Sequence, residues 1–407
     1  DYVGSDFGPD AVARNQCDSM HVRLRIRLWT VTDKYRTADV VIIGGGVIGL
    51  VIARELARRG VRDVCLIERS SLGAEASFAA GGILAPQAEA NGSDEFFELA
   101  CRSRDLYAEF AETLREETGV DVELDSTGTL YVAFREEDLG EIEKRYEWQS
   151  KAGLDVEKLT PAQARELEPC IAESVRGALH FPRDIQVENR RLLNALVNSV
   201  NKLGVNITTD TNVESIEIER GRITGVHTSR GQVSCQKIIV AAGTWSSNIQ
   251  NARTPKIEPV RGQMICFDAN PQLTRHVIYS PRGYLVPRHD GRLLAGSTSE
   301  NAGFTKQVTA GGISHILANA QEISPKISNL AITDTWSGLR PRAADGLPVL
   351  GPCGEIDGLF YATGHYRNGI LLAPVTGELI AEAVVSGRIS PLLAAFSPNR
   401  FDLAHVS

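Results

Sequence analysis

The sequence predicts an α/β (α+β) chain in which a parallel, helix-covered sheet is interleaved with an antiparallel one. Three observations carry this reading. Residues 39–68 run as strand, glycine turn, helix and strand. Residues 255–299 are dense in short strands separated by turn residues. Strands ending in small residues recur far downstream, with no repeat or low-complexity linker between them. At roughly 100–200 residues per domain, 407 residues leave room for two or three domains. A chain 43% hydrophobic and 23% charged is globular, which excludes disorder, collagen and coiled coil. A net charge of −8 leaves no global basic field for nucleic acid or an anionic membrane.

Each element has a local cause. Residues 20–36 carry Arg23, Arg25, Arg27, Lys34 and Arg36 against a single acid, Asp33. A transit peptide shares that composition, but we expect an extension ahead of the first domain. Val40 to Ile43 is a β-branched run suited to a buried parallel strand. Gly44-Gly45-Gly46-Val47-Ile48-Gly49 turns the chain into a helix from Leu50 to Arg59, stopped by Gly60. Val64 to Ile67 is the second strand, ending at Glu68, and the whole makes a Rossmann-like βαβ unit.

Glu98 to Glu117 reads as an amphipathic helix with Leu99, Leu106, Phe110 and Leu114 on one face. Thr129 to Phe134 alternates like a strand. The acid-rich stretch from Glu136 to Glu147 is expected to be a solvated helix face rather than a catalytic carboxylate pair. Leu192 to Leu203 is a helix, and four strands follow at 205–208, 213–219, 223–229 and 237–240. Further strands are expected at 263–267, 277–279, 283–287, 293–295 and 359–361, and a last helix from Gly369 to Val385.

Seven cysteines are scattered with no pair closer than 31 residues and no C-x-x-C, so neither a zinc ribbon nor a thioredoxin-like centre is indicated. Free thiols suit a reducing, cytoplasmic setting. The longest nearly apolar stretch, Val40 to Ala53, is 14 residues with four glycines, whereas a spanning helix needs about 20 apolar residues.

The chemistry begins at Gly44-x-Gly46-x-x-Gly49, which follows a strand and opens a helix, with Glu68 19 residues after the last glycine. Gly44 permits a tight turn, Gly46 lets backbone approach a pyrophosphate, and Gly49 lets helix and strand pack closely. Glu68 is placed to accept both hydroxyl hydrogens of an adenosine ribose. This pattern alone fits NAD and FAD alike. Ile238 to Gly243 and Leu359 to Gly364 are two further strands ending in small residues. Gly369-Ile370-Leu371, heading the last helix, offers N–H groups to developing negative charge.

Three segments sharpen this. They are Ser77 to Glu89 (SFAAGGILAPQAE), Gly338-Leu339-Arg340-Pro341 with Asp345-Gly346-Leu347-Pro348, and Gly364 to Pro374 (GHYRNGILLAP). With them, residues 38–390 resemble the D-amino-acid-oxidase-like family of FAD oxidoreductases, and within it the glycine oxidases of thiazole and thiamine biosynthesis. The Gly-Leu-Arg-Pro block is shared with D-amino-acid dehydrogenases. The resemblance implies a glutathione-reductase-type, Rossmann-like FAD domain in three parts, 38–88, 161–250 and 330–390. It interleaves them with an antiparallel-sheet substrate domain at 89–160 and 251–329, leaving 1–37 as an extension and 391–407 as a tail.

The same resemblance implies non-covalent FAD held by Gly44, Gly46, Val47, Ile48, Gly49, Glu68, Arg69, Ala76, Ser77, Gly81, Gly82, Ile83, Val213 and Gly243, and by His365, Tyr366, Arg367, Asn368, Gly369, Ile370 and Leu371. Substrate contacts fall on Arg340, Arg367, Tyr284 and Gly82, with Tyr284 as a lid. This chain has Gly81-Gly82-Ile83 where relatives carry Ala-Gly-Met, and Arg282 where a histidine can stand near the substrate. Expected partners are a small amino acid and molecular oxygen, with neither nucleic acid, membrane nor metal, and with room for a homo-oligomer.

The residue chemistry supports the arginines independently. A guanidinium holds a carboxylate through two parallel charge-assisted hydrogen bonds, which a lysine does not reproduce. Structural ion pairing is the competing role for Arg340 and Arg367, and a core position is the competing role for Tyr284. No Ser-His-Asp arrangement, His-Glu-x-x-His or Walker loop is present. Hydride transfer from Cα to flavin N5 needs no protein nucleophile and no acid or base. The expected reaction is oxidative deamination of glycine, with small D-amino acids or sarcosine, to imine or glyoxylate, ammonia and hydrogen peroxide. A quinone-linked D-amino-acid dehydrogenase, a non-catalytic dinucleotide-binding protein and an NAD enzyme remain alternatives at this point.

Overall fold

Val40–Ile43 lies buried inside a six-stranded sheet, as an uninterrupted β-branched run requires. In this computed structural model, which describes residues 35–401, the sheet runs Val349–Pro352, Leu359–Thr363, Ile238–Val240, Val40–Ile43, Val64–Ile67, Asn206–Thr208. All neighbours are parallel except the first pair. Val240 pairs with both Ile43 and Tyr361. The small-residue endings of three adjacent strands therefore leave the sheet together, at its carboxyl edge, where open α/β sheets bind ligands.

Helix Val47–Arg58 packs with the last helix, Ala373–Ser386, and with Asn189–Lys202 around one apolar core that includes Leu50, Leu56, Leu196, Val375 and Ile380. Glu95–Thr118 adds its apolar stripe to this core through Leu99, Phe110 and Leu114, with Asp94 as N-cap and Gly119 as left-handed C-cap.

A second, eight-stranded sheet runs Ala331–Ala343, Ile257–Asp268, Arg292–Gly296, Gly283–Pro287, Val277–Ser280, Thr129–Ala133, Gly177–Phe181, Glu157–Leu159. It is antiparallel apart from the pairing of Val277–Ser280 with Thr129–Ala133. A four-stranded sheet joins Tyr35–Ala38, Gly231–Cys235, Arg222–Thr228 and Val213–Glu219.

Several elements depart from the sequence reading. Gly177–Phe181 and Ala331–Ala343 fall within segments assigned to the nucleotide domain, yet both pair into the eight-stranded sheet. Gly338 and Pro341 hid the second of these, since both residues ordinarily argue against a strand. Helix Ala310–Ile323 was hidden by Gly311-Gly312 in its first turn. The last helix begins at Ala373, not Gly369: residues Gly369 to Leu372 form turns of their own, closed by i→i−3 bonds from Asn368 N–H to His365 carbonyl (2.9 Å) and from Ala373 N–H to Ile370 carbonyl (3.2 Å). The helix Glu136–Lys151 is not uniformly solvated: Asp138 is buried and accepts the N–H groups of Phe134 and Arg135, each at 3.0 Å. Of the expected extension and tail, residues 1–34 and 402–407 lie outside the described residues. No described helix is long and apolar enough to cross a membrane.

Candidate active site

A cavity of about 550 Å³ runs from the Gly44–Ile48 turn at the edge of the parallel sheet to Tyr284 and Arg340 on the eight-stranded one. At the turn, Gly44 has φ +111° and an added Cβ would lie 2.5 Å from the Ala241 carbonyl oxygen. A Cβ on Gly49 would lie 1.9 Å from the Gly44 carbonyl oxygen. Backbone therefore packs on backbone, and the helix N-terminus is drawn to the cavity wall. Ser77 Oγ accepts from Val47 N–H (3.0 Å). The Glu68 carboxylate accepts from Gly45 N–H (2.7 Å), Ser70 N–H (2.9 Å) and Ser70 Oγ (3.1 Å). It pins the turn, and with about four lone-pair sites on a carboxylate it keeps acceptor capacity toward the cavity it lines. Arg69 stacks 3.5 Å over the Trp245 ring and pairs with Glu75 at 2.7 Å.

The opposite wall is the turn before the last helix. The N–H groups of Gly369, Ile370 and Leu371 have no acceptor among the described residues, which makes them a cluster of free donors at a helix approach. His365 lines the cavity beside them, and burial depresses its pKa to about 3. Its ring is neutral, with Nε2 3.2 Å from Thr376 Oγ1.

At the far end, Arg340 Nη1 donates to the Thr298 carbonyl (3.0 Å) and Nη2 to Ser297 Oγ (2.7 Å). No carboxylate among the described residues lies within ion-pair distance of it, so a structural ion pair does not account for its charge. Gly262 makes room for this side chain: a Cβ there would lie 2.2 Å from Nη2. Arg367 differs. Its Nη2 lies 3.6 Å from Glu89 Oε1, and that carboxylate raises the guanidinium pKa above its ordinary value. The Tyr279 hydroxyl donates to the same Glu89 oxygen at 2.7 Å.

Tyr284 is half-buried against the cavity, its ring 5.5 Å from Tyr279 and its hydroxyl 3.3 Å from Met264 Sδ. A Cβ on Gly81 would sit 3.6 Å from Tyr284 Cε2, so that residue also faces the tyrosine. Gly82 has φ +70° and would put a Cβ 2.0 Å from the Val187 carbonyl oxygen, so only its backbone fits there.

The cavity gathers the sequence-assigned residues with two exceptions. Gly49 acts through packing behind the wall, and Leu371 is buried with its carbonyl accepting Ser103 Oγ at 2.7 Å. Arg282 lines a side chamber with Arg340, Arg367 and Tyr284, but its charge is neutralised by Asp138 (2.7 Å) and Glu322 (2.5 Å). Sequence reasoning missed Glu89, Tyr279, Met264 and Trp245 as wall residues. One signal was available for Tyr279. It is the cross-strand partner of Tyr284, so the two share a sheet face.

Residues 39–383 match the family model described as DAO, FAD dependent oxidoreductase. The chain belongs to the DAO family of FAD-dependent oxidoreductases. Its relatives include a glycine oxidase of Geobacillus kaustophilus, 37% identical over 368 residues and covering 89% of this chain and 97% of that protein. A crystal structure of glycine oxidase from Geobacillus kaustophilus superposes with TM-score 0.86 at 36% identity, covering 90% of this chain and all of that one. A bifunctional ThiO/ThiG protein of Synechocystis is 37% identical over 370 residues, but this chain spans only 54% of its length. The glycine-turn cradle, the Glu68 acceptor and the free donors at Gly369 and Ile370 fit the FAD that defines this DAO family.

Proposed function

We propose that this DAO-family chain oxidatively deaminates glycine, and with it small D-amino acids or sarcosine, using oxygen as electron acceptor. Glycine, oxygen and water would give glyoxylate, ammonia and hydrogen peroxide, or the imine would be taken directly into thiazole synthesis for thiamine. The observation that carries this reading is Arg340, a guanidinium with no balancing carboxylate among the described residues, at the far end of a dinucleotide cradle.

In this reading the Gly44–Gly49 turn, Glu68, Arg69, Ala76–Ile83, Val213, Gly243 and His365–Ile370 hold FAD, whose bound isoalloxazine supplies the two-electron acceptor. Arg340 takes the substrate carboxylate in a planar fork. The Thr298 carbonyl and Ser297 hydroxyl fix that fork from behind, so the guanidinium is oriented before substrate arrives. Tyr284 and Tyr279 wall the cavity beside Arg340, where they would pack over a bound amino acid. His365, neutral throughout the physiological range, adds no positive charge against a cationic amine.

The test is glycine added to the purified yellow holoenzyme, first without oxygen and then with it. Bleaching followed by peroxide in amounts equal to glyoxylate supports the oxidase. Bleaching that reverses only with an added quinone assigns the dehydrogenase reaction instead, and no bleaching with any amino acid overturns catalysis.

A further inference from the structure

Three arginines, Arg69, Arg340 and Arg367, line the main cavity, and they differ in how their charge is balanced. Arg69 is paired with Glu75. Arg340 rests on a carbonyl and a hydroxyl, neither of them charged. Arg367 faces Glu89 at 3.6 Å. Arg340 and Arg367 also share a side chamber of about 110 Å³ with Tyr279, Tyr284 and Arg282. Of the cations at this end, Arg282 is neutralised by Asp138 and Glu322, Arg340 is left without a carboxylate among the described residues, and Arg367 is partnered by Glu89, which lines the main cavity beside both tyrosines.

We propose that Glu89 is a specificity-determining residue that limits this end of the main cavity to substrates with a single anionic group, excluding amino diacids. This rests on the amino-acid reading of the site given above. A monocarboxylate substrate uses Arg340 and asks nothing of Arg367. A second carboxylate, two or more bonds from the first, reaches the space before Arg367 and meets Glu89 there. Either the two anions repel at close range, or Glu89 must give up Arg367 and its bond from the Tyr279 hydroxyl. Both routes penalise the diacid and leave glycine untouched. Glu89 is placed for this by the short helix Pro86–Glu89. The N–H groups of Gln87 and Ala88 in that helix are held by the buried Asp184 carboxylate, at 3.3 and 2.7 Å. The carboxylate is thus mounted on a braced element and not on a free loop.

The experiment compares holoenzyme of wild type, Glu89→Gln, Glu89→Asp and the double variant Glu89→Gln/Arg367→Met. Binding is read first, by perturbation of the flavin absorbance on titration with acetate and with malonate, which differ by one carboxylate and do not turn over. Turnover of glycine and D-aspartate follows. Glu89→Gln should shift the malonate-to-acetate affinity ratio, and the D-aspartate-to-glycine ratio of kcat/KM, toward the diacid by at least about tenfold, the worth of one charged hydrogen bond. Glu89→Asp, which keeps the charge, should stay near wild type, and the double variant should lose the gain. An unchanged ratio in Glu89→Gln with acetate still binding overturns the proposal. So does a gain that persists without Arg367. Failure of wild type to bind acetate or oxidise glycine would instead strike the amino-acid reading itself, so the two failures are told apart.

Discussion

Replacing Arg340 by alanine removes the cavity guanidinium that no described carboxylate balances, so its loss leaves no stranded partner charge. The effect should fall on substrate rather than on folding. A carboxylate contact present in ground and transition states alike raises KM more than it lowers kcat when lost. With charged hydrogen bonds worth about 1.5–3 kcal/mol each, Arg340→Ala should cost at least about tenfold in kcat/KM for glycine. Arg340→Lys should recover part of this, since a point charge does not match the planar fork. Steady-state kinetics on samples of matched flavin content check it, and a near-normal glycine KM in Arg340→Ala would remove the clamp from the mechanism. At this scale the sequence was legible where a residue's chemistry is unusual for its neighbours, as with Arg340 between Leu339 and Pro341. It was silent on Glu89, because one acid in a short turn carries no sign that a distant arginine and tyrosine will meet it.

The strand–turn–helix at 40–58 depends on two backbones touching, and Gly49→Ala tests that directly. Its Cβ would need to occupy space 1.9 Å from the Gly44 carbonyl oxygen, so the helix must tilt away from the strand. We expect a protein that purifies with under about half the wild-type flavin and a Tm lowered by several degrees, the usual result of overpacking. Absorbance at the flavin bands and a thermal melt measure both.

The turn and helix at the other wall carry a pH signature. His365 is fully buried there with its pKa pushed down to about 3 from an ordinary 6.5, by desolvation. Between those values the unfolded chain binds a proton that the folded chain does not. Stability is therefore complete above about pH 6.5 and declines as pH falls toward 3, by up to about 1.4 kcal/mol per pH unit from this group. Denaturant unfolding from pH 7.5 to 4.5 should show a shallower decline in His365→Asn than in wild type. Parallel curves would mean that the ring is protonated in the fold. Element boundaries were legible where caps are plain, as at Asp94 and Gly119. They were lost where glycine or proline sits inside an element, as in Ala331–Ala343 and Ala310–Ile323.

Across the whole molecule, what sequence order concealed is pairing between strands hundreds of residues apart. Local pattern shows that Ile238–Val240 and Leu359–Thr363 are buried strands, but nothing local shows that they flank one another beside Val40–Ile43. The site exists because two sheets of different strand pairing meet: one supplies the glycine turn, the other the strands carrying Tyr284 and Arg340. Cofactor and fold are consequently coupled through a cavity of about 550 Å³ whose walls come from both. None of the described cysteines, Cys65, Cys101, Cys170, Cys235, Cys266 and Cys353, lines that cavity, so among the described residues no thiol is placed to form a thioether to the flavin. Acid precipitation should then leave the yellow colour in the supernatant, and colour retained in the pellet would show a covalent link through another side chain. The flavin-free protein prepared under milder conditions should melt below the holoenzyme. Restoring FAD to about 100 times its Kd should return about 2.7 kcal/mol of stability, because only the folded chain assembles the two walls that bind it. A melt indifferent to FAD across that range would mean that the two sheets meet equally well without it and that the cavity plays no part in holding them together.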